Sequence, residues 1–308
     1  MIPLERFLQL STEEVAALVR ATGHKVCVFP VNGTRRWFML EHADKIGNDF
    51  IAAYMDESIK NHVELCAMLF DHGIQTILAP VFGRELMHRG DEYTKRVGID
   101  GLVRTATDEN YRNFFARYQV KVRFYGDYRD VLTGTPYEYA LKSMYEVTEA
   151  TRQNSRFQLY FGVFADESVE TVARLSVEHY LAQGNVPDRS ALIRKYYGEE
   201  LPPVGIFIGF DKFSAFDMPL LSTGEEDLYF SVSPSPYMTE RQLRTILYDH
   251  IYLRRTPEPD YTKLSPSQLD WLRDYYRTHQ DDVLGAGQLK FDLWLPQFME
   301  DNNDGPDR

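Results

Sequence analysis

KVCVFPVNGTRRWFML, running from Lys25 to Leu40, sets the question of fold and function together. Residues 25–31 are a near-continuous apolar run, the pattern of a strand covered on both faces. NGTRR then turns the chain into a helical segment, RRWFML. In an open parallel sheet, ligands bind beyond the carboxyl ends of the strands. A turn feeding a helix at that edge offers unpaired backbone N–H groups and the positive end of the helix dipole. Gly33 lets the backbone approach an anion closely, and Arg35 and Arg36 add charge in a fork that matches phosphate oxygens. The stretch reads as a phosphate or diphosphate cradle; two solvated arginines after a turn remain the bland alternative. It has neither the G-K-[ST] of a Walker loop nor the G-x-G-x-x-G of a dinucleotide site.

Working outward, five more apolar runs predict buried strands: 74–82, 120–126, 157–164, 204–210 and 228–233. Between them lie helical segments. In residues 48–73, Ile51, Met55, His62, Cys66 and Leu69 recur at helical spacing and Gly73 supplies a stop. Residues 108–118 and 166–184 read the same way. Such alternation predicts an α/β fold: an open, mainly parallel sheet of about six strands with helices on both faces. A further helix over 265–279 has Ser265 as cap and Pro266 at its first position. We expect one domain: a body over 1–250, a C-terminal helical extension over 251–298, and a polar, disordered tail over 299–308.

Bulk properties narrow the classes. The chain has 308 residues, 44% hydrophobic and 26% charged, an ordinary globular composition with enough material for a sizeable core. A net charge of −12 argues against nucleic-acid binding. No apolar run approaches the roughly 18–20 residues of a membrane span, and the first residues do not read as a signal peptide. Cys27 and Cys66, both in apolar surroundings, read as free thiols of a cytoplasmic protein. The 20 Tyr, 19 Phe and 3 Trp suit a large cavity lined by polar-tipped rings, or equally a Tyr-rich surface.

Several motifs together resemble the cis-prenyltransferase superfamily. VFPVNGTRRW resembles its diphosphate loop, VKVRFYGDY (120–128) its third strand ending in Gly-Asp, KFSAF (212–216) its Arg-x-Ser-Asn-Phe segment, and DLYF (227–230) its Glu-Leu-Tyr-Phe. FGVF, YYGE, YMTE, ILYDHIYLR and the run from FIGF through FDMPLL are similar to a narrower subfamily, the tuberculosinol / tuberculosinyl-adenosine synthases. The similar stretches reach to about residue 290. That resemblance implies a homodimer of the same fold that does not elongate chains. It would ionise a C15–C20 allylic diphosphate, bicyclic in the narrower subfamily, and let water or a small-molecule nucleophile capture the cation.

Residue by residue, the resemblance places diphosphate binding on Gly33, Thr34, Arg35 and Arg36. Asn32 is a departure, because the superfamily carries an aspartate there that helps hold Mg²⁺ or acts as a polar catalytic group. An amide offers a carbonyl oxygen but no charge, so Mg²⁺ as cofactor is in question. Asp227, near the position of a second metal carboxylate, is the candidate to compensate. Tyr54 matches a tyrosine that lines the active site, where a phenol stabilises a nearby cation through its ring or accepts a proton late; a core tyrosine on the apolar face of its helix is the equal alternative. Ser58 and His62 follow on the same helix side as pocket candidates, although a lone His there is more often simply packed. Lys212 and Ser214 stand where the superfamily holds its second diphosphate. FIGF lacks the arginine of elongating members, so these two are candidates to face the acceptor, with Phe210, Phe213 and Phe216 around them or in the core. Arg84, Arg89 and Asp91 read as a solvated loop.

The expectation is therefore a terpene synthase or prenyltransferase that releases diphosphate and yields a terpene alcohol, a diene or a prenylated small molecule. The alternatives are an aromatic or heteroaromatic prenyltransferase, and a non-catalytic cis-prenyltransferase partner subunit that has lost its aspartate. Against a mere partner stands the retained Arg35–Arg36 pair. A plain phosphate-ester hydrolase finds no His or carboxylate pair to support it.

Overall fold

The computed structural model describes residues 2–47, 49–166 and 168–296. Its helices are α1 (Leu4–Leu8), α2 (Thr12–Ala21), α3 (Thr34–Glu41), α4 (Phe50–Asp71), α5 (Asp91–Tyr93), α6 (Asp100–Thr107), α7 (Glu109–Tyr118), α8 (Tyr128–Leu132), α9 (Tyr139–Ala150), α10 (Ser168–Gln183), α11 (Arg189–Tyr197), α12 (Glu240–Tyr248) and α13 (Pro266–Thr278). The strands are β1 (Val26–Val28), β2 (Thr76–Phe82), β3 (Val120–Tyr125), β4 (Phe157–Val163), β5 (Ile206–Phe210), β6 (Asp227–Ser231), β7 (Gly287–Lys290) and β8 (Leu293–Pro296).

Each of the six apolar runs forms a strand of one parallel sheet, in the order β3-β4-β2-β1-β5-β6. β1 is shorter than its apolar run. Phe29 still donates its N–H to the Leu78 carbonyl at 2.8 Å, but Pro30 has no N–H and the ladder stops. Successive side chains along β1 go to opposite layers. Cys27 and Phe29 join a core with α1, α2, α4, α7, α9 and α12; Val26 and Val28 join a second core with α11. Helices therefore cover both faces, as expected.

Local signals fix the helix ends. Ser11 and Glu14 form a reciprocal capping box on α2, and the Asp49 and Asp108 side chains accept N–H bonds at the starts of α4 and α7. The expected cap and first-turn proline of α13, Ser265 and Pro266, are both in place. Gly126 ends β3 with φ 101°, and a Cβ there would lie 2.1 Å from the Val163 carbonyl, so no side chain fits where β3 leaves β4.

The C-terminal region departs from the helical expectation in one respect. Besides α13 it carries an antiparallel hairpin, β7–β8, turned through Phe291 and Asp292 with φ 53° and 60°. The expected tail, 299–308, lies outside the described residues. Among these, no helix is long and apolar enough to cross a membrane.

Candidate active site

Because β1, β5 and β6 are adjacent and parallel, their carboxyl ends present three loops side by side. The first is the 29–33 turn. The second begins at Asp211, and the third runs from Val232 into the segment before α12. They interlock. Ser235 donates its N–H to the Asn32 carbonyl at 3.0 Å, and its Oγ accepts the Asn32 N–H at 3.1 Å. Gly33 adopts φ 77°; a Cβ there would come within 2.8 Å of Pro234 and 2.9 Å of the Phe210 ring. Only glycine satisfies both the left-handed backbone and this close approach.

Gly33 is the N-cap of α3, and no side chain caps that helix. Its first-turn amides are thus unpaired by side chains, in the place where an anion binds most readily. Arg36 is half-buried, its guanidinium 5.1 Å from the centre of the Phe210 ring and its Nη2 3.4 Å from Asp211 Oδ2. Arg35 is exposed and has no ion pair among the described residues. Its charge nonetheless reaches the buried Tyr54 hydroxyl.

Tyr54 lies one helix away, on α4, within an aromatic group. It stacks on Phe50 at 5.9 Å and meets Phe38 edge-on at 5.7 Å. Its hydroxyl is 2.7 Å from Thr34 Oγ1, which ties α4 to the first turn of α3. Burial holds the phenol above its ordinary pKa, partly offset by the Thr34 hydroxyl, so it is neutral at physiological pH. One turn on, the buried Ser58 Oγ makes no hydrogen bond among the described residues, and nor does Asn61 Oδ1 a turn further.

Three sequence expectations need correction or qualification. His62 is not beside the loop. It is 7% exposed within the core, with Nδ1 2.9 Å from the Tyr111 hydroxyl and Nε2 3.7 Å from Cys66 Sγ. Burial lowers its pKa to about 4, so it is a neutral packed histidine. Asp227 is the first residue of β6, and in a parallel sheet that places it at the amino edge, opposite the loops. There its carboxylate accepts from His250 Nδ1 at 2.6 Å and from Arg255 Nη2 at 2.9 Å. It is committed to structure and far from any diphosphate on Arg36. Lys212 and Ser214 do follow the end of β5, but both are exposed and make no hydrogen bond among the described residues. Of the three phenylalanines, Phe210 floors Arg36, whereas Phe213 stacks on Phe230 and Phe216 meets Phe207 edge-on.

The neighbouring edge holds more than a solvated loop. Arg84 Nη2 pairs with Asp127 at 3.2 Å, and its backbone N–H reaches Asp166 at 3.3 Å. Arg89 pairs with Glu85 across a helical turn, in keeping with a solvated loop. Two open cavities, of about 500 and 480 Å³, flank the edge strands β3 and β6, and neither is lined by residues 32–36.

Two residues escaped the sequence reading. Ser235 braces the loop through bonds between strands distant in sequence, for which SPSPY gives no signal. Asp211 follows the apolar run of β5 directly, and the rule that sites gather at carboxyl ends would have singled it out. It also answers whether Mg²⁺ fits here. Among the described residues no cluster of three or more His, Cys, Asp or Glu could hold a metal. Asp211 Oδ1, however, is buried and unpartnered. One carboxylate, completed by phosphate oxygens and water, suits this hard cation. The site therefore fits Mg²⁺ accompanying a diphosphate.

Comparison with known proteins bears on the family and the fold. No family model matches the chain. It is 41% identical over 299 residues to tuberculosinyl adenosine transferase of Mycobacterium tuberculosis, covering 96% of this chain and 99% of that one. It is 33% identical over 111 residues to (+)-kolavelool synthase of Herpetosiphon aurantiacus, 35% of this chain and 37% of the relative. Among solved structures, lavandulyl diphosphate synthase from Lavandula x intermedia, in complex with dimethylallyl diphosphate, superposes with TM-score 0.57 at 14% identity, over 80% of this chain and 98% of that one. A probable undecaprenyl diphosphate synthase from Campylobacter jejuni gives 0.52 at 15%, over 77% and 98%. These two show the fold. The first relative shows the family, and with it an enzyme rather than a non-catalytic partner subunit. The chain belongs to the tuberculosinyl adenosine transferase family, as a terpene synthase or prenyltransferase that acts on an allylic diphosphate within the cis-prenyltransferase fold.

Proposed function

We propose that the protein ionises a C20 bicyclic allylic diphosphate and passes the cation to water or to a nucleoside acceptor such as adenosine. One observation carries the reading: the uncapped amino end of α3 meets Arg36, which is seated on Phe210 beside Asp211. The acceptor class comes from the name of the relative that matches almost end to end.

In the proposed step, the allylic C–O bond breaks and its electron pair leaves with the diphosphate oxygen. Charge gathers on that oxygen in the transition state. The first-turn amides of α3, Arg35 and Arg36 meet it without reorganising, an effect typically worth several kcal/mol. The hydrocarbon is assigned to the side of the loop where Phe50 and Tyr54 stack, whose rings would stabilise the allylic cation and help exclude water. Addition of water followed by proton loss gives an alcohol; proton loss alone gives a diene; attack by a ring nitrogen gives a prenylated nucleoside. Bound Mg²⁺ would neutralise the departing diphosphate, with the Asp211 carboxylate and the side-chain amide oxygen of Asn32 as its protein ligands. In this reading Lys212 and Ser214, exposed just beyond β5, are assigned to the acceptor. The reading includes a homodimer in the cytoplasm, supported by the unpaired edge of β6 with its half-exposed Leu228 and by two buried free thiols.

The test is incubation of purified protein with geranyl, farnesyl, geranylgeranyl and bicyclic C20 diphosphates, with and without Mg²⁺ and adenosine. Diphosphate release with the bicyclic substrate is expected, with an alcohol formed in water and an adduct when adenosine is present. Absence of release from all four would sink the reading.

A further inference from the structure

Asp211 has a use that follows from its surroundings, given the diphosphate reading above. It stands at the carboxyl end of β5 with φ 70°, a left-handed backbone that aspartate tolerates better than most residues. Its N–H is fixed to the Ser231 carbonyl at 3.1 Å. The preceding residue, Phe210, presses on Gly33 of the diphosphate loop. The side chain is therefore delivered to the loop by rigid strands on both sides.

Its two oxygens differ. Oδ2 faces Arg36 at 3.4 Å, a long contact for a charged pair and one that a phosphate oxygen at ordinary range would displace. Oδ1 is buried and has no hydrogen-bond partner among the described residues. An anionic oxygen shut off from water and left unpaired is rare in native proteins, and calls for a ligand. Asn32 adds a neutral donor nearby, since its side chain makes no hydrogen bond to any described residue. A hard divalent cation that keeps its waters and takes most of its remaining ligands from phosphate needs only one such carboxylate.

We propose that Asp211 is the metal carboxylate of the diphosphate site. It steadies Arg36 in the free enzyme, and it takes the divalent cation when Arg36 turns to the arriving diphosphate. Cation and diphosphate then bind cooperatively, and the charge that Asn32 cannot supply comes from the adjacent strand end.

The test uses the full chain, inorganic diphosphate and Mn²⁺ as a spectroscopic stand-in for Mg²⁺. Diphosphate is titrated calorimetrically in EDTA and again with Mn²⁺, while protein-bound Mn²⁺ is followed by its electron paramagnetic resonance. In the wild type, Mn²⁺ is expected to tighten diphosphate binding at least tenfold. Asp211→Asn and Asp211→Gly should both abolish that gain, with metal-free diphosphate affinity unchanged or raised because Arg36 loses its competitor. Asn and Gly both tolerate φ near 70°, so folding survives in at least one variant, as the melting temperature will record. Retention of the tenfold gain in the variants, while Arg36→Ala weakens metal-free binding, would overturn the assignment alone. If the wild type takes up diphosphate in neither condition, the diphosphate reading falls and the assignment with it.

Discussion

Two aspartates at opposite ends of the same pair of strands have opposite fates. Asp227 opens β6 at the amino edge, where His250 and Arg255 bond one of its oxygens and Arg254 stands 3.9 Å from the other. Asp211 closes β5 at the carboxyl edge, with one oxygen loosely on Arg36 and the other unpaired. The first carboxylate is used up by the fold, and the second is held open by it. A carboxylate near a motif thus says little about chemistry until its partners are known; what identifies a site is charge that the fold leaves uncompensated.

The sharpest way to break the comparison is to remove the cation that faces the open carboxylate. Arg36→Ala is expected to lower kcat/KM with the allylic diphosphate by at least tenfold, and by about 3 kcal/mol if the guanidinium acts only in the transition state. The melting temperature should move little, since the Arg36–Asp211 contact is long and partly solvated. Steady-state kinetics and a thermal melt on one preparation check both. An unchanged kcat/KM would remove Arg36 from the mechanism and Asp211 with it.

At the amino edge the expectation inverts. Asp227→Ala strips the acceptor from His250, a side chain that is 1% exposed, and from Arg255. Removing one partner of such a buried pair typically costs about 3 kcal/mol. Chemical denaturation should register that loss, while turnover per folded molecule stays within about twofold, because nothing at this edge reaches the loops. A collapse of turnover in a fully folded variant would return Asp227 to the active site.

These two edges also explain what could be read in advance. The strands were legible because a parallel sheet covered on both faces demands unbroken apolar runs, and the start of α13 was legible because Ser265 caps it and Pro266 follows. The β7–β8 hairpin was not, because its turn, Phe291-Asp292, lacks the Asn-Gly or Gly signal that usually announces one. Gly33, Arg36 and their helix start were visible in a single stretch. Ser235 was not, because it joins the site only through the adjacency of β1, β5 and β6, which is a property of topology, whereas Asp211 could have been found from its place at the end of an apolar run. Asp227 could have been placed correctly: DLYF begins a strand, and the beginning of a parallel strand is the wrong edge.

The core histidine gives a smaller effect, read through pH. His62 titrates near 4 in the folded protein, held down by burial, against an ordinary value near 6.5. Between those values the unfolded chain binds a proton that the native state refuses, so stability falls as pH drops from about 6.5 to about 4. The full difference is of the order of 3 kcal/mol. His62→Gln, which keeps a polar group for Tyr111, should flatten this part of the pH–stability curve measured by denaturant titration. If the slope is identical in the variant, His62 is not the group responsible. Were His62 a catalytic base, the substitution would instead remove turnover at every pH.

The smallest expected effect concerns the aromatic side of the loop. Tyr54→Phe keeps the ring that stacks on Phe50 and deletes only the hydroxyl 2.7 Å from Thr34. A single neutral hydrogen bond of this kind is worth about 1 kcal/mol, so stability should fall by about that amount and kcat by less than about tenfold. Tyr54→Leu, which removes the ring face, should cost more in kcat than Tyr54→Phe if the ring stabilises the cation. Because burial raises the Tyr54 phenol above its ordinary value, the wild-type rate should show no ionisation of this group between pH 6 and 9, the span over which an unperturbed phenol near 10 is already almost wholly neutral. A rate limb in that range that disappears in Tyr54→Phe would mean that the hydroxyl shuttles a proton during turnover, and the loop's chemistry would then extend across the Thr34 bridge into α4.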